Sequence, residues 1–194
     1  MAAEIKIVEE AKKPLAMNPK KFAMWLFIVT VCMLFAAWTS AYIVKRAEAG
    51  WAEIVLPNQF YVNSVIIVIS SFTMFWAQWS ARRDNLEMTK LALSITTALG
   101  VSFLVGQWIA WGKLVALQEH FSGGNVSHSF LYVLTGIHGL HIVGGVVFLI
   151  IVLISTFRYK VHSKNMTQME LCSTFWHFLG VLWLYLFVFL LLNK

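Results

Sequence analysis

Charged residues are scarce in this sequence, and their scarcity argues against a soluble protein. Asp, Glu, Lys and Arg together make up 12% of the 194 residues, whereas 59% of the residues are hydrophobic. A soluble domain carries about a quarter charged residues, which help to cover its surface. The 15 Lys and Arg are scattered along the chain, so the net charge of +6 does not indicate a nucleic-acid partner. We therefore predict an integral membrane protein.

Cysteine is also rare, with only two in the chain. Cys32 lies within an apolar run and Cys172 at the edge of another, so no CxxC or CxxxC pair occurs. Zinc, copper and iron–sulfur sites that rely on thiolates need several cysteines close together. We interpret the two thiols as small packing residues.

Five long apolar runs have the length of membrane spans. A helix that rises about 1.5 Å per residue needs roughly 20 residues to cross about 30 Å of hydrocarbon. The apolar character is continuous rather than alternating, which favours helices over barrel strands. We predict an all-α bundle of five transmembrane helices, forming one domain over residues 22–194 after a polar extension over residues 1–21. The predicted spans are residues 22–44, 60–80, 91–111, 129–157 and 172–192.

The distribution of Lys and Arg predicts the orientation of the bundle. Eleven of these residues precede the first span or lie in the loops over 81–90 and 157–170, on one side of the membrane, and four lie on the other side. Because basic loops stay in the cytoplasm, we predict a cytoplasmic N-terminus and an external C-terminus. An aromatic belt is expected at the two membrane interfaces, and four tryptophans lie near span ends: Trp51, Trp79, Trp111 and Trp176.

Asp and Glu are absent from all five predicted spans. Proton pathways and cation-coupled transporters normally use intramembrane carboxylates, so their absence argues against a channel or transporter. Polar residues do occur within the spans, at Asn63, Gln78 and Gln107. We interpret these three as hydrogen-bond partners between helices.

Three histidines in the last two spans leave two hypotheses open. His138 and His141 are three residues apart and share one helical face, and His177 lies in the fifth span. One hypothesis is a small haem-b membrane anchor with these imidazoles as ligands. The other is that they are neutral imidazoles bonded between helices or to lipid. Small residues that would let the fourth helix pack closely favour the second hypothesis: Thr135, Gly136, Gly139, Gly144 and Gly145.

Two sequence runs in these spans resemble the motifs of a known family. They are LTGIHGLHIVGG at residues 134–145 and MELCSTFWHFLGVLW at residues 169–183, in which Glu170 stands seven residues before His177. Both resemble subunit III of the haem-copper oxidases, and most closely the short five-helix bacterial form of cytochrome c oxidase subunit III. Residues 56–77 and 91–103 are similar to the middle helices of that family, and the resemblance covers about residues 20–194.

The resemblance implies a non-catalytic subunit of an oxygen-reducing, proton-pumping complex of the aerobic respiratory chain. It implies a multi-pass protein of the bacterial cytoplasmic membrane that stabilises catalytic subunit I and holds structural phospholipid. Oxidase subunits I and II are the implied partners, with a small subunit IV as a further candidate. Haem and copper are held by the partner subunits, this chain binds no metal, and cytochrome c acts on the complex. The residues implied in lipid binding or interhelical bonding are His138, His141, Arg158, Lys160, Glu170, Trp176 and His177.

Three positions depart from the family pattern. An ungapped alignment puts Val31, Ala110 and Gly180 where many members carry carboxylates. Subunits III of quinol oxidases and of nitric-oxide-reductase-associated complexes share the same pattern. The electron donor therefore stays open at this point, because another subunit binds it.

Overall fold

Five α-helices account for almost all of the chain that the structure describes. The computed structural model describes residues 18–48, 51, 56–116, 126–158 and 166–193. Each helix is long and apolar enough to cross a membrane, and within these residues there is no strand. The predicted all-α bundle of five spans is confirmed. The helices are α1 (Pro19–Arg46), α2 (Gln59–Arg82), α3 (Leu86–Ala116), α4 (Val126–Phe157) and α5 (Thr167–Leu192).

The helices extend beyond the predicted spans, most clearly between α2 and α3. The prediction of a loop over residues 81–90 is wrong in its length, because only residues 83–85 separate the two helices. Asp84 turns the chain with a φ of 53°, and the Asn85 side chain accepts a hydrogen bond from Met88 N at 3.2 Å. The predicted spans are too short because they were ended where charged side chains lower the hydropathy. The backbone hydrogen bonds of a helix continue past that point into the headgroup region, where charged side chains are tolerated.

Helices α2, α3, α4 and α5 form a closed ring of four. Helix α2 packs against α3 and α5, and α4 packs against the same two helices. Helix α1 lies outside this ring and, of the other four helices described, packs against only α4 and α5. The centre of the ring is filled by large side chains that are almost fully buried, including Phe103, Trp176 and Trp183.

Glycines let the helices of the ring approach closely at particular positions. A Cβ placed on Gly100 would lie 2.7 Å from the Trp176 ring, and one on Gly145 would lie 2.9 Å from Leu179. The prediction that glycines make α4 thin for packing is therefore confirmed at Gly145. It is wrong at Gly139 and Gly144, where an added Cβ would meet nothing within 4 Å beyond its own helix.

Helix α1 is tied to α5 at both of its ends. At its beginning, Lys21 forms an ion pair with Glu170 in the first turn of α5. At its end, the Tyr42 hydroxyl donates to the Asn193 carbonyl oxygen at 2.9 Å, and Arg46 donates to Asn193 Oδ1 at 2.8 Å. These contacts hold a peripheral helix that has little buried surface of its own.

Candidate functional site

Trp176 lies in the centre of the four-helix ring rather than at the membrane interface. Its side chain is fully buried, and its Nε1 donates to Ser70 Oγ on α2 at 3.1 Å. Gly100 on α3 and Gly145 on α4 face its ring from two other helices. The prediction that Trp176 belongs to the interfacial belt is wrong, because the side chain points inward from the first half of α5. The residue joins all four helices of the ring.

The polar side chains predicted to bond between helices do so. Asn63 Nδ2 on α2 donates to Gln107 Oε1 on α3 at 3.3 Å, and Ser173 Oγ on α5 donates to Gln78 Oε1 on α2 at 3.1 Å. Both bonds lie inside the bundle, where water is excluded and a polar group needs a protein partner. The prediction for Asn63, Gln78 and Gln107 is confirmed.

His138 is completely buried among aromatic rings. Its ring centroid lies 5.2 Å from that of Trp183, 6.1 Å from that of Phe103 and 6.4 Å from that of Phe35. Neither ring nitrogen has a hydrogen-bond partner within the described part of the chain. The imidazole thus packs as an aromatic side chain between α1, α3 and α5.

His141 faces α1 from the same side of α4. Its ring centroid lies 6.4 Å from that of Phe27 and 5.9 Å from that of Phe35, and Nδ1 hydrogen-bonds to its own helix at Ile137 O, 2.7 Å away. Val31 lies midway between those two phenylalanines in sequence, on the same face of α1, and is 3% exposed. A carboxylate at position 31 would therefore enter the apolar seam between α1 and α4.

His177 lies in a different part of the bundle from the other two histidines. It lines an open groove of about 220 Å³ between α2 and α5, together with Ile67, Ser71, Gly180 and Val181. Across the described ranges, no group of three His, Cys, Asp or Glu side chains is placed to hold a metal ion. His138 and His141 both contact Phe35, whereas His177 lies apart from them in the groove, so the geometry lends no support to the haem-anchor hypothesis.

Glu170 stands at a junction of three helices. Lys21 Nζ from α1 lies 2.6 Å from Glu170 Oε2, and Arg82 Nη2 from α2 lies 3.9 Å from Glu170 Oε1. A cavity of about 330 Å³ opens beside this group, and Trp25 and Gln78 contribute to its lining. Two cations face one carboxylate here, so the cavity carries a local excess of positive charge.

The sequence singled out Glu170 but not its two basic neighbours, which come from other helices. Lys21 and Arg82 are 149 and 88 positions away from Glu170 in the chain, and no local pattern connects them. Arg158 is exposed after the end of α4 and does not line the cavity. The prediction for Lys160 falls outside the described residues.

Comparison with known proteins gives consistent results over nearly the whole chain. The sequence profile of the family described as "Cytochrome c oxidase subunit III" matches residues 7–193. Cytochrome bo(3) ubiquinol oxidase subunit 3 of Buchnera aphidicola from Schizaphis graminum is 24% identical over 91% of this chain and 95% of its own length. Cytochrome c oxidase subunit 3 of Synechocystis is 31% identical over 87% of this chain and 73% of its own length.

A third similar protein extends the range of organisms. Cytochrome c oxidase subunit 3 of Pelomedusa subrufa is 29% identical over 90% of this chain and 70% of its own length. The relatives named so far include both cytochrome c oxidase and ubiquinol oxidase subunits, at comparable identity.

Proposed function

Since the chain belongs to the cytochrome c oxidase subunit III family, we propose that it stabilises the catalytic subunit of its oxidase and holds phospholipid beside it. The chain is a multi-pass membrane subunit of a haem-copper oxidase complex, an oxidoreductase. The family match over residues 7–193, on a bundle of five spanning helices, is the observation that carries this function. Subunits I and II, and a small subunit IV, are the proposed partners. We place the complex in a bacterial cytoplasmic membrane with the start of α1 on the cytoplasmic side.

The chain itself is proposed to have no catalytic role. His138 is buried among aromatic rings, and the polar groups Asn63, Gln78 and Gln107 bond to other helices. In this proposal haem and copper are held by the partner subunits. Cytochrome c is the proposed electron donor and quinol the alternative, because relatives of both kinds are similar to this chain.

Phospholipid is proposed to bind at the cavity beside Glu170. The cavity lies at the end of the bundle where α1 and α5 begin, and in this proposal that end is level with the lipid headgroups. Arg82 and Lys21 offer cations to a phosphate, and Glu170 offers an oxygen to an ammonium group. A zwitterionic headgroup such as phosphatidylethanolamine matches both charges, while Trp25 and Met24 provide apolar surface for the start of the acyl chains.

Affinity purification through a tag on this chain tests the proposed complex. In a mild detergent we expect a haem-copper catalytic subunit to be recovered with the chain, with haem absorption in stoichiometric amount. Recovery of this chain alone, under conditions in which other respiratory complexes of the same membrane stay intact, would contradict the proposal. A haem spectrum from the purified chain without any partner would favour the haem anchor instead.

Glu170→Gln tests the lipid site. Loss of the carboxylate removes the partner of the headgroup ammonium and of Lys21, so we expect less phosphatidylethanolamine to copurify. Glu48→Gln is the matched control, because Glu48 also pairs with a lysine, Lys45, at 2.8 Å but is exposed at the opposite end of α1. Lipid quantification by mass spectrometry compares the two variants. Equal phosphatidylethanolamine in both would show that Glu170 does not hold the headgroup.

A further inference from the structure

Four polar atoms at one level of the ring have no hydrogen-bond partner. They are Nδ1 and Nε2 of His138 on α4, Oδ1 of Asn63 on α2 and Nε2 of Gln107 on α3, and none of them bonds to any of the described residues. His138 and Asn63 are completely buried, and Gln107 is 2% exposed. Most buried polar atoms in proteins bond to another protein atom or to ordered water, so these four atoms indicate a place for a bound partner.

Contacts between the helices bring the three side chains to the same level. Asn63 Nδ2 donates to Gln107 Oε1, which joins α2 to α3. Phe103 lies one turn before Gln107 on the same face of α3, and its ring centroid is 6.1 Å from that of His138. Trp183 of α5 also contacts the His138 ring, and its Nε1 donates to the serine that follows Asn63 on α2. The imidazole and the two amides therefore face the same part of the ring interior.

Space is available at this level between α3 and α4. Gly139 is buried, yet a Cβ placed on it would meet nothing within 4 Å beyond its own helix. Thr135, one turn earlier on this face of α4, accepts a hydrogen bond from Trp111 Nε1 on α3 at 3.1 Å. Because consecutive spanning helices run in opposite directions, Gly139 is level with Gln107, which lies one turn before Trp111. The space is thus beside His138 in the chain and opposite Gln107.

Water matches the donors and acceptors of this group. Gln107 Nε2 only donates, Asn63 Oδ1 only accepts, and a neutral imidazole provides one donor and one acceptor. A water molecule can donate two hydrogen bonds and accept two, so it can serve both kinds of atom at once. An acyl chain would fill the space but leave all four atoms unpaired, which is costly. Bulk water does not reach this level, but individual buried waters that make about three hydrogen bonds are a regular part of protein interiors.

We propose that His138, Gln107 and Asn63 bind buried water in the space beside Gly139. The water accepts a hydrogen bond from Gln107 Nε2 and donates to Asn63 Oδ1 and to the imidazole. It joins α4 to the amide pair of α2 and α3, to which His138 makes no direct hydrogen bond. A bond through water is directional and nearly as favourable in enthalpy as a direct one, so it fixes the rotation of α4 in the ring. The inference is independent of the proposed function, because every group in the site belongs to this chain.

Solid-state NMR of the full-length chain in lipid bilayers tests for the water directly. The imidazole and side-chain amide nitrogens are labelled with ¹⁵N, and magnetisation is transferred to them from water protons. We expect a water contact at the Gln107 side-chain amide and at the His138 ring, the second assigned by its loss in His138→Phe. No water contact at either residue of the wild-type chain would overturn the inference.

Two glycine substitutions on α4 test the position of the water. A Cβ on Gly139 or on Gly144 would meet nothing within 4 Å beyond the helix, but Gly139 is buried in the ring whereas Gly144 is exposed. The new methyl group of Gly139→Ala takes up the space beside the glycine, so we expect the water contact at Gln107 to be lost. Gly144→Ala is the matched control and should keep that contact. A contact that persists in Gly139→Ala would overturn the proposed site.

The direction of the stability change in His138→Phe gives a second test. Phenylalanine keeps an aromatic ring but has no polar atom, so it would raise the folding equilibrium constant if the imidazole bonded to nothing. Loss of bonds through water lowers the constant instead, and we expect a decrease of about 3-fold or more in SDS unfolding, the size of one interhelical hydrogen bond. An unchanged or increased constant would overturn the inference. If His138→Phe does not fold, the comparison of Gly139→Ala with Gly144→Ala decides the question alone.

Discussion

Replacing Gly100 with alanine tests whether Trp176 holds the four helices together. The added Cβ would lie 2.7 Å from Trp176 Cη2 and 3.1 Å from Val146 Cγ2. Carbon atoms in favourable contact are about 3.5–4.0 Å apart, so the new methyl group is about 0.8 Å or more too close to the indole. Gly145 also lies close to the indole, since a Cβ there would be 3.2 Å from Trp176 Cε3 and Cζ3. We therefore expect the indole to shift and its hydrogen bond to Ser70 to be lost.

The expected cost combines three effects. Overpacking of a core position costs about 1–3 kcal/mol, and loss of the bond from Trp176 Nε1 to Ser70 adds about 0.6 kcal/mol, a typical interhelical value in a membrane. Replacing glycine by alanine within a helix offsets about 1 kcal/mol of this. We therefore expect Gly100→Ala to lower the free energy of unfolding by about 0.6–2.6 kcal/mol.

Unfolding by SDS in mixed micelles, followed by far-UV circular dichroism, measures this difference. Gly144→Ala is the matched control, because a Cβ there would meet nothing within 4 Å beyond its own helix, and we expect it to be neutral or stabilising. In a Trp176→Phe background the clashing ring atoms are absent, so Gly100→Ala should cost little. The reasoning is refuted if Gly100→Ala is as stable as Gly144→Ala, or if its cost is unchanged in the Trp176→Phe background.

Three further changes have defined expectations. Trp183→Phe removes the hydrogen bond from Nε1 to Ser64 Oγ at 3.0 Å, and we expect the free energy of unfolding in SDS to fall by about 0.5–2 kcal/mol. We expect a larger loss for Trp183→Leu, which also removes the aromatic contacts. Tyr42→Phe removes the bond to the Asn193 carbonyl, so hydrogen exchange should accelerate in the last turns of α1 and α5 and stay unchanged in α3. Cys172 is 1% exposed, so a maleimide should label it only after unfolding; labelling of the folded protein at the denatured rate would contradict its burial.

Burial within each span was harder to predict than the spans themselves. In a soluble helix a stripe of polar residues marks the surface. Here the residues that face lipid are as apolar as those in the core, so the periodicity of hydrophobic residues does not distinguish the two faces. Trp108 is 75% exposed whereas Trp176 is fully buried, although both are tryptophans in apolar surroundings. Polar residues were better guides, because Asn63, Gln78 and Gln107 need partners in any arrangement without water.

The glycines show the same difference. The sequence drew attention to α4, where glycines are frequent, but Gly144 faces outward and Gly145 contacts the core. No sequence pattern predicted a packing role for Gly100 or Gly106 on α3, yet an added Cβ at Gly106 would overlap Asn63 Oδ1. Which glycine is required depends on the side chain opposite, and that side chain comes from another helix.

The number of spans, the lack of carboxylates within them and the family resemblance could all be read from the residues alone. A membrane helix satisfies its backbone hydrogen bonds within its own segment, so each span follows from local hydropathy without reference to its neighbours. The inward position of Trp176, the separation of His177 from His138 and His141, and the group formed by Glu170 with two distant cations emerged only from the packed bundle. These features depend on which helices meet and at what rotation, which is decided by interactions between residues as far apart in the chain as α1 and α5.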